Sequence, residues 1–338
     1  MKITRAELKI LDNLLRGTAR TLQKSACVLP AGERVVFSAA YLLCRSADTV
    51  ADAADMPHER KIFWIEKFPS LIEDGGVDKL IKEAADNVKN PAEKELLKNL
   101  PFCVSIYYRL GPEDKKLTRA IVEKVCEGML FDLKIFKPGV LTALEKTAQL
   151  EYYCDVMGGA PGVFWSELIL KAAEIKMPAE NFKILGNNIG DALQIVNILR
   201  DVKEDISNGR CYAPAEDLEF FHVSVKDFQA GNFRAASPVI KKWIFWGLDK
   251  ISSAPQYFEQ IPKKNWRLRL SVLMPVLWVL DTFELLAQSD ILTNRVKITK
   301  KNIYSTILKS PVYLLSDKNF SAAVRRKTEA AKNLLLKI

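Results

Sequence analysis

Apolar residues recur at helical intervals along nearly all of this chain, and runs of alternating, β-branched residues between turn signals are almost absent. A chain with so little strand material has to bury its core between helices, so the expected fold class is all-α. The periodicity predicts helices over roughly 6–25, 31–54, 58–70, 77–98, 115–134, 142–156, 158–173, 178–208, 236–252, 263–288, 299–309 and 320–337. Pro30, Pro101, Pro112, Pro138 and Pro214 fall between these segments and Pro178 opens one, positions where a missing amide donor does least harm. No Ser/Gly-rich linker or repeating period divides the 338 residues, which reads as one helical domain. The segments GVFWSELIL and SVLMPVLWVL are hydrophobic on most faces and belong in a core or along a greasy cavity.

Against this apolar background two stripes of polar residues stand out. In NNIGDALQIVNILRDVKEDISNGRCY, Asn197, Asp201 and Asp205 follow one another at steps of four, so they share a helix face, and Glu204 lies beside them. Asn208-Gly209 supplies a left-handed stop, which puts the acids in the last turns of a long helix. That end already carries partial negative charge, so the acids repel the dipole and one another unless a cation sits among them. In AAYLLCRSADTVADAAD, Tyr41, Arg45, Asp48 and Asp52 form a second stripe. An Asp-xxx-Asp pair by itself usually decorates a solvated surface, but two of them inside hydrophobic sequence need positive partners. If the two helices face each other, their carboxylates and the Asn197 amide form an oxygen-rich site suited to magnesium. Magnesium shares phosphate oxygens readily, so the expected ligand is a diphosphate, held also by Arg20, Arg45 and Arg200.

Other chemistries find little material. The chain has two histidines, His58 and His222, and neither sits in a zinc or triad motif. Its six cysteines are scattered without a paired spacing, and no apolar leader opens the sequence, so a reducing, cytoplasmic setting is expected. The longest apolar run is about half a spanning length. Lysine and arginine outnumber aspartate and glutamate by 50 to 41, a net +9 that favours anionic partners. No aromatic-basic stripe or nucleic-acid motif supports a nucleic-acid binder; the charge suits anionic substrates and lipid, with peripheral membrane association as an expectation.

Three blocks resemble the squalene and phytoene synthases, which belong to the trans-prenyltransferase superfamily. LCRSADTVAD resembles that family's first aspartate-rich motif, NILRDVKEDISNGRCYAP its second, and YYCDVMGGAPG the segment between them. The likeness runs over roughly residues 10–290. It implies a single-domain isoprenoid synthase fold, with helices around a central apolar cavity, that joins two prenyl diphosphates head to head. By the same resemblance Asp48, Asp52, Asp201 and Asp205 would hold magnesium and the diphosphates, with Asn197 and Glu204 assisting. Arg20, Arg45 and Arg200 would clamp phosphate, with Gln194 a turn away, and Tyr153 would handle a proton at the coupling step. Ala160 and Gly162 would leave room for the chains, and Phe164 or Trp165 would either stabilise a carbocation or simply fill core. Gly158-Gly159 reads equally as a helix break.

The squalene-forming reaction passes from two farnesyl diphosphates through presqualene diphosphate to an NADPH-dependent reduction; phytoene and dehydrosqualene synthases finish without a reductant. NRVKITKKNI resembles the segment that squalene synthases carry near their nucleotide region, which implies that Lys297 faces the NADPH phosphate. Lysines 297, 300 and 301 read equally as a solvated helix start. Three departures stand beside the likeness: Ala51 replaces an acid at the edge of the first motif, Thr299 replaces a basic residue, and TARTL at 18–22 replaces an aromatic segment. The resulting expectation is a monomeric, Mg2+- and NADPH-using squalene synthase. A non-reductive or presqualene-stopping relative and a non-catalytic assembly protein of the same fold are the alternatives.

Overall fold

The computed structural model describes residues 3–19 and 22–337. It is all-α apart from one two-residue strand pair, and its helices gather into two compact units, Met1–Lys134 and Ile135–Ile338.

The first unit holds α1 (Arg5–Thr18), α2 (Leu22–Cys27), α3 (Ala31–Ala51), α4 (His58–Asp74), α5 (Asp78–Ala84), α6 (Pro91–Lys98), α7 (Leu100–Tyr108) and α8 (Pro112–Ile135). Its centre is α3, packed by α1, α4, α6 and α7. Alanines and β-branched or leucine residues cover most of its surface, and Val36, Ala39, Ala40, Leu42, Leu43, Ala47 and Val50 are buried. Where the periodicity predicts unbroken helices over 6–25 and 77–98, the chain turns after Thr18 and again around Ala85–Asn87, a single 3-10 turn. Pro101, expected between helices, occupies the first turn of α7, where its missing N–H costs nothing.

The second unit holds α9 (Thr147–Cys154), α10 (Ala160–Ala172), α11 (Ala179–Ser207), α12 (Ala215–Phe220), α13 (Val225–Gln229), α14 (Phe233–Ile251), α15 (Ala254–Gln260), α16 (Trp266–Leu286), α17 (Lys300–Leu315) and α18 (Asp317–Leu335). Strands β1 (Thr142–Ala143) and β2 (Arg210–Cys211) pair in parallel, replacing the start of a helix predicted from residue 142. The long α11 packs against α10, α14, α15 and α16. Gly158 and Gly190, and Gly162 and Gly186, meet backbone to backbone; a Cβ on any of the four would overlap the facing residue. Gly162 therefore lets two helices touch and does not open room for a ligand. The Gly158-Gly159 pair does not end the helix either: Asp155–Gly159 winds as a π turn joining α9 to α10, ahead of Pro161 in the first turn of α10.

α16 is buried on nearly every face, as its sequence predicts. It even buries a charge: Arg269 is 1% exposed, donates 2.7 Å to the Ile261 carbonyl, pairs with Asp317 and lies over the Phe258 ring. Such a cation survives burial because Asp317 matches its charge and its terminal nitrogens are hydrogen-bonded, which offsets an Nε with no hydrogen-bond partner among the described residues. Among the described residues no helix is long and apolar enough to cross a membrane.

Candidate active site

In the first unit the stripe of α3 behaves as its spacing requires. Tyr41 stacks on Phe37 with centroids 5.8 Å apart and donates 3.3 Å to the Thr18 carbonyl, fixing the end of α1 against α3. Arg45 pairs with Asp48 one turn on, and its other terminal nitrogen donates 2.5 Å to Glu93 in the first turn of α6. Burial pulls the Arg45 pKa down, but Asp48, Tyr41 and Glu93 together carry it above its ordinary value, so the guanidinium stays charged. Asp52 caps the C-terminus of α3 and is exposed. Ala51, the departure from the motif, is half-buried beside it. Arg20 lies outside the described residues.

In the second unit Gln194, Asn197, Asp201, Glu204 and Asp205 share one face of α11. Asn197 donates 3.4 Å to Gln194, and both Asn197 and Glu204 reach solvent or its edge, Asn197 and Glu204 being exposed. Arg200 grips Asp201 with two nitrogens, at 3.0 and 2.5 Å, the fork geometry of a strong ion pair. Arg210, just past the Asn208-Gly209 stop, holds Asp205 at 3.1 Å. The stop is as expected, with Gly209 at φ 81°, and β2 follows it at once, so the turn carries Arg210 back toward the acids. Two arginines of its own segment therefore bring positive charge to this helix end. The carboxylates are also less deeply placed than the apolar flanks suggest, since Asp201 is 33% exposed and Asp205 13%.

Behind Asp205 and Arg210 lies an apolar cleft lined by Leu150, Ile195, Ile198, Leu199, Val202, Tyr212 and Trp243 among others. Tyr153 stacks on Tyr212, centroids 5.0 Å apart, and the Tyr212 hydroxyl donates 3.3 Å to that of Tyr153. Phe136 closes edge-on against Tyr212. Trp243 is fixed by an N–H bond of 2.8 Å to buried Asp217, which also accepts from Thr147 and Lys242. The aromatic side chains lining this cleft beside Asp205 are Tyr212, Phe228 and Trp243; Phe164 and Trp165 do not line it, and Phe164 is buried.

Sequence reasoning missed Glu93, Arg210, Tyr212 and Trp243. Arg210 and Tyr212 stand inside the quoted second motif and follow the glycine stop, a signal that was legible. Glu93 and Trp243 come from other helices and carried none. Lys297 sits exposed in the irregular segment before α17, and Thr299 caps that helix by accepting from the Asn302 amide at 3.2 Å. A capping hydroxyl explains a threonine where a basic residue was expected.

Every carboxylate of the stripes is a hard oxygen donor suited to magnesium, and they come as pairs one turn apart. Among the described residues no three acidic, histidine or cysteine side chains form a ready-made metal cluster. Two carboxylates on α3 and three on α11 suit a cation that keeps waters and completes its shell with phosphate oxygens.

The arrangement of helices matches proteins of known structure. A ligand complex of TcSQS superposes with a TM-score of 0.77 at 19% identity, covering 98% of this chain and 99% of that one. The class is therefore the all-α isoprenoid synthase fold. The squalene/phytoene synthase family model matches residues 15–302, and the chain belongs to that family. Squalene synthase of Schizosaccharomyces pombe is 24% identical over 298 residues, 88% of this chain. Presqualene diphosphate synthase of Zymomonas mobilis is 29% identical over 192 residues, 57% of this chain. The chain spans 64% of the length of the first relative and 55% of the second.

Proposed function

We propose that the protein is a prenyltransferase that condenses two farnesyl diphosphates head to head through presqualene diphosphate to squalene. The observation that carries this reading is the acidic stripe of α11 paired with Arg200 and Arg210, in a chain that the squalene/phytoene synthase model matches over residues 15–302. A substrate with an anionic diphosphate head needs such a stripe once magnesium bridges acid and phosphate, and family membership supports the same chemistry.

Each arginine has a task in this scheme. Arg200, Arg210 and Arg45 now neutralise carboxylates; they can turn their donors to diphosphate oxygens when Asp48, Asp52, Asp201 and Asp205 take up magnesium, assisted by Asn197 and Glu204. Magnesium, when bound, supplies Lewis-acid charge to the leaving diphosphate. The arginines add electrostatic stabilisation as the allylic C–O bond breaks. Leu150, Ile198, Leu199 and Val202 keep water from the carbocation, and the faces of Tyr212 and Trp243 offer it π density. The Tyr153–Tyr212 hydroxyl pair would relay the proton lost at coupling to the released diphosphate, which is the base that accepts it. Lys297 is proposed to meet the NADPH phosphate.

A presqualene-releasing or dehydrosqualene-forming enzyme is the second reading, favoured by the resemblance to a presqualene diphosphate synthase. Mass spectrometry of products formed from farnesyl diphosphate and Mg2+ separates the two. Squalene appearing only with NADPH supports the first; presqualene diphosphate persisting with the nucleotide supports the second. No turnover of farnesyl diphosphate would sink both; phytoene formed from geranylgeranyl diphosphate would then mark a longer-chain enzyme, and no product from either substrate a non-catalytic protein.

A further inference from the structure

α17 is built inside out. Its buried positions are the polar Thr306 and Ser310, which face the bodies of α16 and α18, whereas Tyr304, Ile307, Leu308, Pro311, Val312 and Leu315 are exposed. Leu308 is 82% exposed and Leu315 76%, and five of the twelve large hydrophobics exposed among the described residues stand on this one helix. Their spacing puts them on a single outward face, so this is one apolar stripe and not scattered side chains. The flanking charge has one sign. Arg295, Lys297, Lys300, Lys301 and Lys309 are all exposed, and no aspartate or glutamate occurs from Asn294 to Ser316.

We propose that α17 is an in-plane docking helix that seats this protein on an anionic phospholipid bilayer. An apolar stripe rimmed by lysine, too short and too polar on its inner face to cross, is the form that lies in a headgroup boundary. The choice of a lipid surface over a second copy follows from charge: a twofold contact through this face would bring the same lysines together with no acid on α17 to offset them. An acidic bilayer satisfies stripe and rim together. The inference does not rest on the proposed reaction.

The test is flotation of the full chain with vesicles of phosphatidylcholine alone or mixed with phosphatidylglycerol, at low and high salt. The protein should float with the anionic vesicles at low salt and only weakly with the neutral ones. Leu308→Glu/Leu315→Glu should weaken binding at least tenfold, and Lys300→Gln/Lys301→Gln/Lys309→Gln should cost about fivefold per lysine removed. Circular dichroism should stay unchanged in both, since every altered side chain is exposed. Wild-type protein left behind by anionic vesicles at low salt, or variants that float as well as wild type, would overturn the proposal. So would an oligomer in gel filtration that the glutamate variant dissolves while vesicle binding persists.

Discussion

The stripes of α3 and α11 share a spacing and differ in how their charge is balanced. On α3 one guanidinium serves two acids, Asp48 on its own helix and Glu93 on α6. On α11 each aspartate has an arginine of its own, Asp201 with Arg200 and Asp205 with Arg210. The same Asp-xxx-Asp phrase therefore yields a shared cation in one unit and private cations in the other. Removing Arg45 takes an ion pair from two carboxylates, while removing Arg210 takes one from a single carboxylate.

The largest effect expected is on turnover. Asp48→Asn and Asp201→Asn should each lower product formation by roughly a thousandfold, read by mass spectrometry, with circular dichroism unchanged. Activity retained in either would remove its stripe from the site.

The shared and private cations separate next. Arg45→Ala and Arg210→Ala should both reduce turnover by about a hundredfold. In chemical denaturation Arg45→Ala should cost about 2 kcal/mol and Arg210→Ala about 1, because both sites are partly screened by solvent. Equal losses would erase the distinction between the units.

A third contrast lies further up α11, where Asp191 is buried against Lys250 at 2.7 Å and its second oxygen has no hydrogen-bond partner among the described residues. Burial, only partly opposed by Lys250, raises its pKa from 3.8 to about 6. The folded state thus holds this proton longer than the unfolded chain does. Its stabilising contribution is full below about pH 4 and is lost as pH rises through about 6, by up to about 3 kcal/mol. Denaturation midpoints measured across that range should fall for wild type and flatten in Asp191→Asn.

Smaller effects test single contacts. Lys297→Gln should raise KM for NADPH roughly tenfold at unchanged kcat if a phosphate sits there. Tyr212→Phe keeps the stack on Tyr153 and removes one hydroxyl bond, costing about 1 kcal/mol or less in stability. A larger fall in turnover than in stability would tie that hydroxyl to the proton.

The sequence made the periodic features legible and hid the ones that depend on distant partners. Residues 178–208 were readable as one helix because a proline opens it, an Asn-Gly stop closes it, and its face repeats by fours. The helix predicted over 299–309 instead runs on through Pro311 to Leu315, since packing on α16 and α18 outweighs one lost donor. The short α12, α13 and α15 escaped because five to seven residues hold too few turns to show a period. Within the site, the acids announced themselves by spacing, whereas Glu93 and Trp243 arrive from elsewhere in the chain and share no local pattern with what they touch. Burial was misjudged for a related reason: apolar neighbours in sequence occupy the opposite side of the helix, so flanks do not report the depth of a polar face.

The glycine contacts between α10 and α11 have a mechanical corollary. Gly190 touches Gly158 on the same uninterrupted rod that carries Asp201, about 16 Å further along. The crossing acts as a fulcrum, and α11 as the lever. An alanine at 190 would tilt that arm and swing the distal carboxylates sideways without altering any group they bind.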